Sequence, residues 1–107
     1  MELEEIRQLV EQGRYEFSIH AQQERLEDDL DVVEIENALV QGEILEDYPN
    51  DPRGESCLIL GYADTKPIHA VVGWARKDRT ERILRIVTVY IPKIPKWTDP
   101  QTRGARS

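Results

Sequence analysis

Arg82-Ile-Leu-Arg-Ile-Val-Thr-Val-Tyr-Ile-Pro92 crowds beta-branched and aromatic residues into consecutive positions, with no helix former stronger than Leu84. It is the clearest strand of the chain, and Pro92 ends it. Alternation puts Leu84, Ile86 and Tyr90 on one face and Ile83, Val87, Val89 and Ile91 on the other. Apolar cover on both faces marks a central strand rather than an edge. One polar side chain interrupts each face, Thr88 on the first and Arg85 on the second. Each needs a partner or a place in a site.

Working upstream, Pro67 to Ala75 and Ser56 to Ala63 read as strands joined by the tight turn Asp64-Thr-Lys66, and Arg76 to Thr80 is a polar turn into the last strand. Glu43 to Tyr48 is a further strand, separated by Pro49-Asn-Asp-Pro-Arg-Gly54, whose two prolines and glycine exclude regular structure. Connections this short make hairpins, so the spacing predicts a four-stranded antiparallel meander.

The first part of the chain has the period of helices. Leu3, Ile6 and Val10 recur over Glu2 to Gln12 before Gly13, and Tyr15-Glu-Phe17 is a short link. Ser18 is the N-cap of a second helix running to about Asp28 or Asp29. Asp31 with Glu34 has the spacing of a capping box, and the third helix ends at Gly42. The fold class expected is therefore α+β: two or three N-terminal helices packed on one face of a four-stranded meander. One domain covers residues 1–97, and residues 98–107, with no apolar side chain larger than Ala, are expected to be a flexible tail.

The chain has 107 residues, 39% hydrophobic and 33% charged, which suits one domain with a modest core. No apolar run approaches the ~20 residues needed to cross a bilayer, and the acidic start Met1-Glu-Leu-Glu-Glu is unlike a secretory signal, so a cytoplasmic location is expected. Cys57, the single cysteine, lies in the apolar run Cys57-Leu-Ile-Leu60 with no activating cation beside it, and core packing is expected of it. Charge is polarised along the chain. Residues 1–51 hold sixteen acids against three bases, a net of -13, and residues 52–107 hold five acids against eleven bases, a net of +6. The overall excess of acid argues against nonspecific nucleic-acid binding, while the basic half can still hold phosphates locally. The acidic half reads either as a solvated helical surface or as a surface for a basic partner.

One residue type suited to acid–base work stands out. Histidine transfers protons best near neutral pH, and the chain has two, His20 and His69. Behind the Ser18 cap, His20 falls in the first helical turn, where free amides attract an anion and the dipole favours the neutral ring. The alternative is that His20 faces solvent or bonds a loop carbonyl. Arg25, five residues on, lies about 140° round the helix from His20 and reaches it only by bending back toward the sheet; otherwise it forms a local ion pair. On the third strand Ile68, Ala70, Val72 and Trp74 form the core face, so His69 points to the opposite one, beside the space left by Gly73. Either Arg85 with Val87 or Thr88 with Tyr90 must share that face with His69.

Phe17-Ser-Ile-His-Ala21 with Arg25, Gly42 to Tyr48, Gly61, Pro67-Ile-His-Ala-Val-Val72, Val87-Thr-Val-Tyr90 and Pro95-Lys-Trp97 together resemble the signature of a small bacterial family, the domain of unknown function DUF4258. The resemblance covers roughly residues 17–97. That family is similar in layout to the RelE/ParE and BrnT-type toxins of toxin–antitoxin pairs, and its members are often paired with a small antitoxin-like protein, sometimes one with a zinc finger. The resemblance implies a metal-independent endoribonuclease held in check by such a partner, with RNA as its substrate. It also favours Thr88 and Tyr90 as the open-face pair.

Cleaving RNA without a metal needs a base for the 2′-hydroxyl, an acid for the leaving 5′-oxygen and cations for the phosphorane. The catalytic set expected is His20, Arg25, His69 and Tyr90. Thr88 is a candidate for a phosphate oxygen and Arg85 for the phosphorane in the other register, while Lys93, Lys96 and Trp97 combine charge with a stacking surface along an RNA path. Trp97 equally suits a cap on the core. Two separated histidines and one cysteine do not make a metal site, and no glycine-rich phosphate loop is present, so neither metal nor cofactor is expected. The competing reading is a non-catalytic member of the same fold that binds protein or nucleic acid.

Overall fold

The computed structural model describes residues 1–75, 82–94 and 96–104. The turn expected at Arg76 to Thr80, Pro95 of the Pro95-Lys-Trp97 motif, and the last three residues lie outside them. Helix α1 (Leu3–Glu11) buries Ile6, Leu9 and Val10, and the chain reverses at Gly13, whose φ of +71° is open to glycine and strained for other residues. Helix α2 (Ile19–Glu27) starts at Ser18, whose side chain accepts from the Ala21 amide. Helix α3 (Val32–Gln41) carries the full capping box: Asp31 accepts from the Glu34 amide and Glu34 accepts from the Asp31 amide. All three helices stand where the sequence spacing predicts them.

The sheet is larger than expected. Strands β2 (Glu43–Tyr48), β3 (Ser56–Ala63), β4 (Lys66–Trp74) and β5 (Leu84–Tyr90) form the antiparallel meander, but Tyr15–Phe17, read above as a link, is a strand, β1. It pairs in parallel with β5, matching Tyr15 to Leu84 and Phe17 to Ile86. The sheet is therefore five-stranded and mixed, in the order β1-β5-β4-β3-β2, with β4 rather than β5 at its centre. A three-residue strand is too short to show an alternation, and its partner lies about seventy residues away in sequence, so periodicity alone does not reveal it.

One side of the sheet packs on the helices through Ile59, Ile68, Ala70, Val72, Leu84, Ile86 and Val89, against Ile6, Ile35 and Leu39. Gly61 on β3 marks a close approach of helix and sheet: a Cβ there would lie 1.9 Å from the Ala38 carbonyl oxygen of α3. Cys57 is fully buried among these residues, and burial pushes its thiol up to about 11, which suits packing and not nucleophilic chemistry. Among the described residues no helix is long and apolar enough to cross a membrane.

The stretch after Trp97, expected from its composition to be a flexible tail, contains a small hairpin. Strand β6 (Trp97–Asp99) pairs with β7 (Thr102–Arg103). It lies over the open side of the sheet: Trp97 is 2% exposed, and Arg103 bonds Glu46 of β2 at 2.6 and 2.9 Å.

Candidate functional site

Strand β5 does not keep a strict alternation. Val72 pairs with Ile86 and Val71 with Thr88, so Val87 is an extra residue, a β-bulge. Leu84, Ile86 and Val89 are buried in the core, while Arg85, Val87, Thr88 and Tyr90 are half-buried and line the opposite side. The two arrangements that strict alternation sets against each other are thus combined. The bulge flips the phase halfway along the strand, and both polar pairs face the side on which His69 stands.

The bulge is held by α2. β1 covers β5 only as far as Ile86, and beyond that point side chains of α2 and its flanks take the place of a neighbouring strand. Ser18 donates from its amide to the Ile86 carbonyl (2.9 Å) and from its hydroxyl to the Val87 carbonyl (2.7 Å). Glu24 Oε1 accepts from the Val89 amide (3.0 Å) and from the Thr88 hydroxyl, and Asp28 accepts from the Ile91 amide (2.8 Å). Backbone groups that would otherwise lie unpaired at a sheet edge are satisfied in this way.

These elements enclose a cavity of about 350 Å³ on the open side of the sheet, lined by His20, Glu24, Tyr48, Thr88, Tyr90, Lys96 and Arg103 among others. His20 is exposed, with Nε2 3.3 Å from Glu24 Oε1. Tyr90 is half-buried, and burial raises its phenol, which keeps its proton at neutral pH. Lys96 Nζ stands 5.5 Å from the Tyr90 ring centre. Tyr48 donates to Glu46, and burial followed by that carboxylate pushes its phenol up to about 12.

His69 lies behind this cavity and not in it. It is fully buried, with Nε2 2.7 Å from the Pro100 carbonyl of the hairpin and Nδ1 3.2 Å from the Tyr90 hydroxyl. A carbonyl only accepts, so Nε2 carries the proton and Nδ1 accepts from Tyr90. Burial lowers the His69 pKa, and the ring is neutral at pH 7. Trp97 meets the imidazole edge-on, 4.4 Å between centres and 88° between planes.

The expected site residues therefore divide. The structure brings His20, Thr88, Tyr90 and Lys96 to one cavity and sets His69 directly behind it. Arg85 is on the same side of the sheet but pairs with Glu16, its register neighbour on β1, and lines an adjoining trough. Arg25 turns away: it bonds Gln22 (2.6 Å) and the Leu30 carbonyl (3.2 Å) and lies over Phe17. Lys93 is taken up by Asp28 at 3.2 Å, and Trp97, the first residue of β6, is packed against the sheet, where it covers His69 and offers no exposed face. Glu24, Tyr48 and Arg103 were not expected in the cavity. For Glu24 a signal was available, since His20, Glu24 and Asp28 are spaced four apart on one helix face. Arg103 was hidden in the supposed tail. Among the described residues, no group of three or more His, Cys, Asp and Glu side chains is arranged to hold a metal.

Residues 17–91 match the family described as a domain of unknown function, DUF4258, and the chain belongs to that family. No curated protein and no solved structure matches it.

Proposed function

We propose that this DUF4258 protein is a metal-independent endoribonuclease, the toxin of a toxin–antitoxin pair, and that it cleaves RNA in the cavity between α2, β5 and the C-terminal hairpin. The observation that carries the reading is the joint presence in one 350 Å³ cavity of an exposed histidine, a protonated phenol and two cations, Lys96 and the Glu46-paired Arg103. These are the groups a transesterification at phosphorus needs. His20, supported by Glu24, takes the proton of the 2′-hydroxyl. The 2′-oxygen attacks phosphorus and the bond to the 5′-oxygen breaks as Tyr90 donates its proton to the leaving group. Lys96 stabilises the charge on the phosphorane, joined by Arg103 when it exchanges Glu46 for the phosphate, and Lys96 beside the ring also favours the tyrosinate that forms.

His69 is a positioning residue in this scheme. The long 3.2 Å bond from Tyr90 to its Nδ1 aims the phenol and is readily exchanged for a bond to the leaving oxygen. Thr88, committed to Glu24, fixes the carboxylate and not a phosphate. The acidic surface of residues 1–51 suits a basic antitoxin-like partner.

Expression of the chain alone in a bacterium tests this reading. Growth should arrest, and Tyr90→Phe or His20→Ala at equal protein level should relieve the arrest. Normal growth with intact RNA at high protein level would support instead the non-catalytic binding module.

A further inference from the structure

Adjoining the cavity is a longer trough of about 970 Å³ on the same side of the sheet, and Tyr48, Val71 and Thr88 line both. The floor of the trough is made by Val71, Gly73 and Val87, the last being the bulge residue. Gly73 is not required by the packing. Its φ is not positive, and an added Cβ would meet nothing nearer than the Glu55 carbonyl oxygen at 3.4 Å and Ser56 Cβ at 3.7 Å. A glycine inside a strand weakens it, and without a conformational or steric need the position serves the close approach of something to the sheet. What the missing side chain provides here is a flat apolar surface between two valines.

Cations stand at both sides of that surface, and the acids Asp51 and Glu55 also line the trough. Arg85 lines the trough while paired with Glu16. Arg53 stands at the mouth with its side chain 87% exposed, held among the described residues only by Asp51 two residues away at 3.4 and 3.5 Å. A contact that long and that exposed gives way readily to another anion. Unpaired nucleotides are bound by laying their bases on flat side-chain surfaces, most often aromatic, while cations follow the phosphates; the Val71–Gly73–Val87 floor offers such a surface without a ring, by apolar contact alone.

We infer that the trough is a subsite for single-stranded RNA, in which the nucleotide next to the cleaved bond lays its base on the Val71–Gly73–Val87 floor and its phosphate against Arg53. This rests on the reading of the adjoining cavity as the cleavage site. Gly73 is then a specificity-determining position that admits a base in the plane of the sheet, and Tyr48 stands at the seam between the two compartments.

The test uses the whole chain and a 2′-O-methyl tetranucleotide, which lacks the attacking hydroxyl and so binds without being cut, followed by backbone amide spectra. Val71, Gly73 and Val87 should shift on titration. Gly73→Val and Val87→Glu, each checked for an unchanged circular dichroism spectrum, should raise Kd tenfold or more, and Arg53→Glu should raise it several-fold and flatten its dependence on salt. Absence of binding, or a Kd unchanged in both floor variants, overturns the inference. A separate assay with unmodified RNA keeps the two readings apart. Gly73-dependent binding without cleavage supports the trough and refutes the nuclease. Cleavage with the same KM in Gly73→Val refutes the trough and leaves the nuclease.

Discussion

Glu24→Ala removes the acceptor that replaces a missing strand beside β5. In the folded chain Glu24 Oε1 accepts from the Val89 amide at 3.0 Å and from the Thr88 hydroxyl, and lies 3.3 Å from His20 Nε2. Val89 is fully buried, so its N–H has no water to turn to. A buried donor left unpaired costs about 1–3 kcal/mol, and a hydrogen bond to a charged acceptor contributes about 1.5–3 kcal/mol. The Thr88 hydroxyl borders the cavity and can turn to solvent, which removes most of its share. The loss expected for Glu24→Ala is about 2–3 kcal/mol, or roughly 10–20 °C in Tm for a domain of this size. Glu24→Gln keeps an oxygen for Val89 and should lose about 1 kcal/mol. Urea denaturation at pH 7 measures both, and amide exchange should report lost protection at Val89 before other core positions. A Glu24→Ala protein within about 0.5 kcal/mol of the parent, or a Gln variant as damaged as the Ala one, would refute the view that α2 acts as the edge partner of β5.

Gly61→Ala forces a Cβ to within 1.9 Å of a backbone oxygen of α3, and because backbone cannot swing aside the variant should lose more than about 3 kcal/mol, above the usual range for overpacking; thermal unfolding reads this directly. Gly13→Ala meets open space and carries only the strain of a positive φ, so about 1 kcal/mol is expected on the same scale. His69 gives a pH signature. Its folded pKa lies below the ordinary value of about 6.5, so near and below that value the unfolded chain binds the proton first. Stability should therefore fall as pH drops from 7.5 toward 5, by at most about 1.4 kcal/mol per pH unit from this group. His69→Gln should flatten the slope in that window, and an unchanged slope would contradict a buried neutral imidazole.

Much of the architecture could be read from local chemistry. Ser18 and the Asp31–Glu34 pair announced two helix starts because capping is a matter of a few adjacent residues, and the two-proline turn at Pro49 to Gly54 separated β2 from β3 for the same reason. Strands β2 and β3 have the bounds their composition predicts. What escaped was non-local. Tyr15–Phe17 became a strand only because β5 offered it an edge, and the bulge at Val87 depends on Ser18 and Glu24 gripping β5 from the side. Strict alternation assigned Arg85 and Thr88 to opposite faces; one extra residue put them on the same one. His69 was assigned to the correct face, but the hairpin that covers it came from a stretch whose composition gave no sign of structure. His20 and Lys96, singled out by residue chemistry, and Thr88 and Tyr90, favoured by the family resemblance, line one cavity, while Glu24, Tyr48 and Arg103 needed the fold to bring them there.

The proposed cleavage of RNA by His20 and Tyr90 without a metal is tested by incubating the purified chain with a labelled single-stranded RNA in the presence of EDTA. Products ending in a 2′,3′-cyclic phosphate should form with EDTA as fast as without it, and Tyr90→Phe should lose at least about a hundredfold in rate, within the range of about 10²–10⁴ that positioned acid–base catalysis contributes. Cleavage abolished by EDTA, or an equal rate in Tyr90→Phe, would contradict it.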